Sequence, residues 1–253
     1  MNYSQIASYV DRTTAALEKN DQESVIVICD CSKPREIILN HEEVIRANRI
    51  KNAKASLLFT SSRSILRSVL GEFLGVAPRS VEICYGSFGK PFLSTKYNVR
   101  IQFNVSHAGE VAVIGIGRFG PIGVDVEINS LCKLSEIASY FLHQEEIEYI
   151  ASLPHESVEN KLLDLWTAKE ALLKSIGIGL RIDPRSVIVN LDEFPYAQGY
   201  IGKSSQRRYV RWLLQSSNMQ IAVSVAKGMR LTVFHDTNLM RLPSQEGIIW
   251  MNS

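Results

Sequence analysis

Asp125 and Glu127 interrupt an otherwise apolar segment, Gly123-Val124-Asp125-Val126-Glu127-Ile128. The alternation has the period of a strand, so Val124, Val126 and Ile128 share one face while both carboxylates converge on the other. Further along, Trp166-Thr167-Ala168-Lys169-Glu170-Ala171-Leu172-Leu173-Lys174 reads as a helix. Trp166, Glu170 and Lys174 recur there at i, i+4 and i+8 and share one face, whereas Lys169 points elsewhere. Carboxylates and ammonium groups set among apolar residues are costly unless a metal ion and an anion compensate them. Such a set can hold a hard cation and grip a phosphate. The plainer reading of the same residues is a solvent-facing strand edge and a surface helix, with an ion pair worth only about 0.3 to 0.5 kcal/mol.

Two more segments precede these, Gly89-Lys90-Pro91 and Phe103-Asn104-Val105-Ser106-His107. Gly-Lys-Pro joins a permissive backbone to a fixed one, a turn that brings amides and carbonyls close to a flat ligand. His107 follows a strand and precedes Gly109, where a side chain can face a cleft. Taken in order and at their approximate spacing, the four segments resemble the motifs of the 4'-phosphopantetheinyl transferases, in particular the surfactin-synthetase-activating type with a double-length chain. A looser resemblance runs from about Val25 to Lys227.

The resemblance implies a pseudodimeric fold that acts as a monomer. It implies Mg2+ held by Asp125, Glu127 and Glu170, and coenzyme A as the substrate, bound by Arg63, Lys90, Pro91, Ser106, His107 and Lys174. Arg63 would face the 3'-phosphate, the Gly89-Lys90-Pro91 turn the adenine and phosphate end, and Lys174 the pyrophosphate. Glu170, Lys174 and His107 would be catalytic, with Glu170 taking the acceptor proton directly or through a water. The acceptor would be a serine of an apo acyl, peptidyl or polyketide carrier protein, and the by-product adenosine 3',5'-bisphosphate. Removal of Lys174 is then expected to slow transfer while leaving the melting temperature near normal. Trp166 reads as a packing residue, and His41, His143, His155 and His235 have no chemical context. Two other functions stay open. A Mg2+-dependent phosphohydrolase of coenzyme A or a nucleotide would release phosphopantetheine without a carrier. A non-catalytic carrier-protein or coenzyme A binding module would not require Asp125, Glu170 and Lys174.

Positioning these residues needs a frame, and periodicity supplies one. Residues 1–23 read as an appended amphipathic helix with Ser4 as its cap. A strand over Val25 to Cys29 follows, then helices near Glu42 to Lys51 and Ala55 to Leu74, then strands at Val81 to Tyr85, Val99 to Val105 and Val111 to Ile116. A second round begins with a strand from Ile122 to Ile128, helices near Leu134 to Ala151 and Val158 to Ile176, and strands near Val187 to Leu191, Tyr196 to Ile201, Tyr209 to Leu214 and Gln220 to Ala226. The order predicts an α+β protein of two pseudo-symmetric halves, each a small antiparallel sheet packed with helices, with the ligand cleft between them. By the resemblance, residues 24–120 would form the half that binds coenzyme A, and residues 121–253 the half with the metal and catalytic residues.

Composition reads as that of a soluble globular protein. With 45% hydrophobic and 21% charged residues the chain can build real cores. A net charge of +2 is too small to argue for nucleic acid. The charge is uneven, however: Arg46, Arg49, Lys51, Lys54, Arg63 and Arg67 fall in a stretch without an acidic residue, which sets up a local positive field. No apolar run has the length of a membrane span and the first residues do not resemble a signal peptide, so no membrane partner and a cytoplasmic location are expected. Cys29, Cys31, Cys84 and Cys132 form no CxxC pair and read as reduced structural thiols.

Overall fold

Val25, Val27 and Cys29 alternate with Ile26 and Ile28 in β1 (Glu23–Asp30), and all five are buried. A strand apolar on both faces must lie inside a sheet covered on both sides. In the computed structural model, which describes residues 3–19, 22–32, 36–118, 120–128, 133–177, 181–191, 196–201, 208–216, 219–235 and 248–250, β1 is the middle strand of five. It pairs antiparallel with β5 (Val111–Gly117) and parallel with β11 (Arg230–His235). The edges are β4 (Gln102–Ala108) beside β5 and β12 (Ile248–Trp250) beside β11. A second five-stranded sheet runs in the order β6 (Gly123–Ile128), β10 (Met219–Val225), β9 (Arg208–Ser216), β8 (Tyr196–Ile201) and β7 (Val187–Asn190), all antiparallel.

The two sheets face each other across Ile26, Ile28, Val111, Val113, Val124, Val126, Ile221 and Val223. Helices cover the outer faces. On the first sheet lie α1 (Tyr3–Lys19) and α3 (Ala53–Leu74), with Leu17, Leu66 and Leu70 packed on Val25, Val27, Phe103 and Ile114. On the second lies α5 (His155–Ile176), with Leu165, Ala168 and Leu172 packed on Val189, Val210, Trp212 and Ala222. The protein is therefore α+β, in four layers. The period-two pattern of β6 has its expected result: Val124 and Val126 enter the core between the sheets, and Asp125 turns toward α5.

The halves repeat each other in detail. A short helix, α2 (His41–Arg49) or α4 (Gln144–Ala151), opens on a capping box, formed by Asn40 with Glu43 or by His143 with Glu146. A 22-residue helix follows, α3 or α5, each closed by a left-handed glycine, Gly75 or Gly177. After each helix stands the same tripeptide in a 3-10 turn, Pro78-Arg79-Ser80 and Pro184-Arg185-Ser186, followed by a valine. The first half adds a small hairpin of β2 (Ile83–Tyr85) and β3 (Pro91–Leu93) around the Gly89-Lys90 turn.

Several boundaries differ from those read in the sequence. Ser4 lies within α1 rather than capping it. The strand expected at Val99 starts at Gln102, because a 3-10 turn over Thr95–Tyr97 ends in left-handed Asn98. The long helix expected from Leu134 breaks into 3-10 turns at Leu134–Glu136 and Ala138–Tyr140; Glu159 of α5 accepts from the backbone of Leu134 and Ser135, and His143 starts α4 afresh. Strands β3, β11 and β12 were not anticipated, and β11 and β12 carry the chain from the second half back to the first sheet. Cys29 and Cys31 are buried in the core of the first half and Cys84 is partly buried; Cys132 lies outside the described residues.

Candidate functional site

The edge strands β4 and β6 meet at the junction of the two sheets, joined by side chains rather than by a ladder. Asn104 Oδ1 accepts from the Val124 amide at 2.9 Å, and Ser106 Oγ accepts from the Val126 amide at 3.4 Å. These two β6 amides are thus satisfied by the other half of the molecule. Ser106 Oγ also donates to Asp125 Oδ1 at 2.9 Å and accepts from Lys174 Nζ at 2.9 Å. Ser106 is buried, and its hydroxyl is engaged within the protein on every side.

Asp125 is 1% exposed and its Oδ1 receives the Lys174 ammonium at 2.5 Å. Burial pushes its pKa up, opposed by Lys174 and the hydrogen bond from Ser106. Its second oxygen, Oδ2, is buried with no hydrogen-bond partner, and so is Oε1 of Glu170. Glu170 has its pKa pushed up to about 7, first by burial and then by the charges of Asp125 and Glu127, with Lys174 acting the other way. Glu127 is half-buried and raised by burial and by Asp125. Its Oε1 accepts from Trp166 Nε1 at 3.0 Å. The strand pair and the helix face read in the sequence therefore do converge.

The first half brings cations to the same junction. His107, next to Ser106 on β4, accepts or donates at Nε2 with Ser62 Oγ at 3.1 Å. Although the ring reaches the surface, desolvation by the surrounding protein and the charges of Lys174, Arg63 and Arg46 push its pKa down to about 4. Arg63 on α3 is buried. Its Nε lies 3.5 Å from Glu43 Oε1, its Nη2 donates to the Tyr85 hydroxyl at 3.3 Å, and its Nη1 is buried with no partner. Glu43 also takes Arg67 Nε at 2.5 Å, and Arg67 binds the carbonyls of Pro78, Arg79 and Val81. Arg67 is held by Glu43 and three carbonyls and is fully buried, and each of the two guanidiniums keeps one buried nitrogen without a partner, Nη1 of Arg63 and Nη2 of Arg67. Pro91 starts β3 opposite Tyr85, so the Gly-Lys-Pro turn borders Arg63. Lys90 itself donates to the carbonyls of Ser175 at 2.7 Å and Ile122 at 3.4 Å. Burial and the Arg208 charge push it down to about 8.

Residues 121–226 match the family described as the 4'-phosphopantetheinyl transferase superfamily, and residues 34–116 match a 4'-phosphopantetheinyl transferase N-terminal domain. The protein slr0495 of Synechocystis sp., assigned to the same class, is 32% identical over 179 residues, 68% of this chain and 72% of that one. The chain belongs to the 4'-phosphopantetheinyl transferase superfamily. The superfamily member HetI of a Nostoc species is 37% identical over 144 residues, covering 56% of this chain and 61% of HetI. The transferase gsp of Aneurinibacillus migulanus is 30% identical over 149 residues, 59% of each chain. The chain thus spans about three-fifths of the length of HetI and of gsp.

Whether the superfamily site here suits a divalent ion can be asked of the side chains. Among the described residues, no three of His, Cys, Asp or Glu are drawn around a single point. The ammonium of Lys174 occupies the cation position at Asp125 Oδ1. Yet the orphaned oxygens Asp125 Oδ2 and Glu170 Oε1, with Glu127 alongside, are the hard oxygen donors that Mg2+ takes, and buried carboxylate oxygens without donors are costly unless a cation meets them. The residues fit the ion. Reasoning from sequence missed Glu43, Ser62, Tyr85 and Asn104, each of which holds a site element. The signals were weak: a serine beside Arg63, and an asparagine two residues before Ser106.

Proposed function

We propose that this protein transfers 4'-phosphopantetheine from coenzyme A to a serine hydroxyl of an apo acyl, peptidyl or polyketide carrier protein, leaving adenosine 3',5'-bisphosphate. The observation that carries this reading is Glu170, a half-buried carboxylate raised to about 7, one helical turn from Lys174 and beside the buried Asp125. A carboxylate tuned to that range suits proton abstraction at neutral pH. Across the junction, the cations of Arg63 and Arg46 flank His107 as a polyphosphate would require.

In the reaction, the serine oxygen forms a bond to the phosphorus that carries pantetheine. The bond from that phosphorus to the oxygen of the adenosine-side phosphate breaks, and the serine proton passes to Glu170, directly or through a water. Lys174, already 2.5 Å from one carboxylate, is placed to meet the charge that grows on the leaving phosphate. Arg63, with an unpartnered donor, would hold the 3'-phosphate, and His107, neutral when surrounded only by cations, gains a proton readily once a phosphate is beside it. Ser106 would act from behind, by holding Asp125 and Lys174 together, while the backbone of Gly89, Lys90 and Pro91 borders the nucleotide. Mg2+, held by Asp125, Glu170 and Glu127, would supply Lewis-acid neutralisation of the pyrophosphate. Both halves contribute to the site within one chain, so a monomer suffices. No helix among the described residues is long and apolar enough to cross a membrane, and we read the enzyme as cytoplasmic.

The test is incubation with coenzyme A, Mg2+ and a panel of apo carrier proteins, read by intact mass. A carrier that gains phosphopantetheine with wild-type protein and not with Glu170→Ala supports the reading. Release of phosphopantetheine without any carrier would identify a hydrolase instead.

A further inference from the structure

Helix α5 carries two residues to which the chemistry above gives no part, Trp166 and Lys169. Lys169 is fully buried and acts as a hub. Its ammonium donates to the carbonyls of Phe141 at 2.7 Å, Pro184 at 3.1 Å and Val187 at 2.6 Å, and pairs with Glu146 at 2.6 Å. Glu146 in turn accepts from the amides of His143 and Val189. Phe141, its backbone fixed in this way, meets Trp166 edge-on, with centroids 5.2 Å apart and planes at 69°. The indole is thereby oriented, and its Nε1 donates to Glu127 Oε1 at 3.0 Å.

Glu127 needs such help. It stands near the end of edge strand β6, is only half-buried, and has a long side chain that could swing into water. Asp125, by contrast, is buried and already fixed by Ser106 and Lys174. We propose that Trp166 is a positioning residue, which turns the Glu127 carboxylate toward Asp125 and Glu170 and leaves its second oxygen free to bind a divalent cation. Lys169 and Phe141 are the clamp that aims it. Trp166 and Glu170 lie four residues apart, so one rigid helix then carries one ligand and orients another that belongs to a different strand. Partners that orient ligating groups in this manner commonly contribute 10-fold or more to metal affinity. This inference rests on the reading of Asp125, Glu127 and Glu170 as cation ligands.

Mn2+ serves as the probe, titrated by calorimetry into the whole protein without coenzyme A. Trp166→Phe keeps the ring and removes the N–H, and should weaken Mn2+ binding by about 10-fold or more. In a Glu127→Gln background the same change should have little further effect, because two residues acting through one contact are non-additive. If the wild type binds Mn2+ and Trp166→Phe binds it equally well, the positioning role is overturned. It is overturned too if Trp166→Phe weakens binding as much in the Glu127→Gln background. If the wild type itself fails to bind Mn2+, the ligand reading falls and takes this inference with it. Should Trp166→Phe lower the melting temperature enough to confound the titration, Trp166→His decides: it retains a ring N–H, and recovery of Mn2+ affinity supports the role while no recovery overturns it.

Discussion

Lys90 donates a 2.7 Å hydrogen bond to the carbonyl of Ser175, so a turn in the first half closes the C-terminal end of the helix that bears Glu170 and Lys174. The same ammonium reaches the Ile122 carbonyl just before β6. A positive group at a helix C-terminus is favourable in itself, and here it also joins the two halves. Lys90→Met should therefore lower stability by about 1 to 3 kcal/mol, the usual effect of losing a charged hydrogen bond and stranding its acceptors. A thermal melt checks this, and an unchanged melting temperature would mean the contact contributes nothing.

Lys174→Met removes the partner of a buried carboxylate. The expectation of a near-normal melting temperature does not survive the observation that Asp125 is almost fully buried beneath it. Breaking such a pair commonly costs about 3 to 5 kcal/mol. The melting temperature should fall in chelator and recover substantially when Mg2+ is added, since a divalent ion can neutralise Asp125 in place of the ammonium. Transfer should remain at least about 100-fold slow at saturating Mg2+. Mg2+ that fails to rescue the melt would argue against a shared place at Asp125.

Glu170 sets a pH dependence whose sign is fixed. Its folded pKa is about 7, against an ordinary 4.5. A raised carboxylate favours the folded state most below its unfolded pKa, and that contribution is lost as pH rises through about 7. Above that pH the ionised group is the one a cation can relieve. The rise in melting temperature on adding Mg2+ should accordingly grow from pH 5.5 to pH 8, and Glu170→Gln should flatten the trend. A constant Mg2+ effect across that range would contradict it.

Arg63 keeps a buried donor without a partner, beside Glu43 and Tyr85. Arg63→Gln should weaken coenzyme A by about 1 to 3 kcal/mol and its 3'-dephospho analogue much less. Calorimetric titration of both ligands separates the cases, because an equal loss for the two would show that Arg63 does not read the 3'-phosphate.

Gly123 opens β6 where the strand touches α5. A Cβ there would overlap the Ala171 carbonyl oxygen and come within 2.5 Å of the Ser175 amide nitrogen. Backbone cannot move aside as a side chain can, so Gly123→Ala should push strand and helix apart and cost about 2 kcal/mol or more. Asp125 and Lys174 would separate with them. Activity should fall by more than the fraction of unfolded protein accounts for.

Much of this site was legible because its residues interrupt regular patterns. Two carboxylates in a period-two strand and three side chains on one helical stripe fix their own directions, and Asp125, Glu170 and Lys174 converge as that geometry requires. The duplication was legible from element order alone. Its clearest trace, Pro-Arg-Ser-Val after each long helix, is too short to notice until the two turns are seen in equivalent places. The parts that stayed hidden depend on tertiary partners. Nothing local says that Ser106 would bind Asp125, that Lys90 would find a helix end, or that Trp166 would hold Glu127 rather than merely fill space. The 3-10 turns before α4 are likewise imposed from outside, by Glu159 of a different helix.

Strand β1 has β11 along one side, and their partnered residues, such as Glu23 and Arg230, lie far apart in the sequence. During synthesis the first half emerges with its helices and β5 ready, yet its central strand has one bare edge until about residue 235 has left the ribosome. Bare strand edges recruit other strands, and domains fold in the order in which they appear. The ladder that completes the first sheet can therefore form only after the second half has been translated. Order of synthesis and order of strands in the first sheet are thereby at odds, and the disagreement is located at the single ladder between β1 and β11.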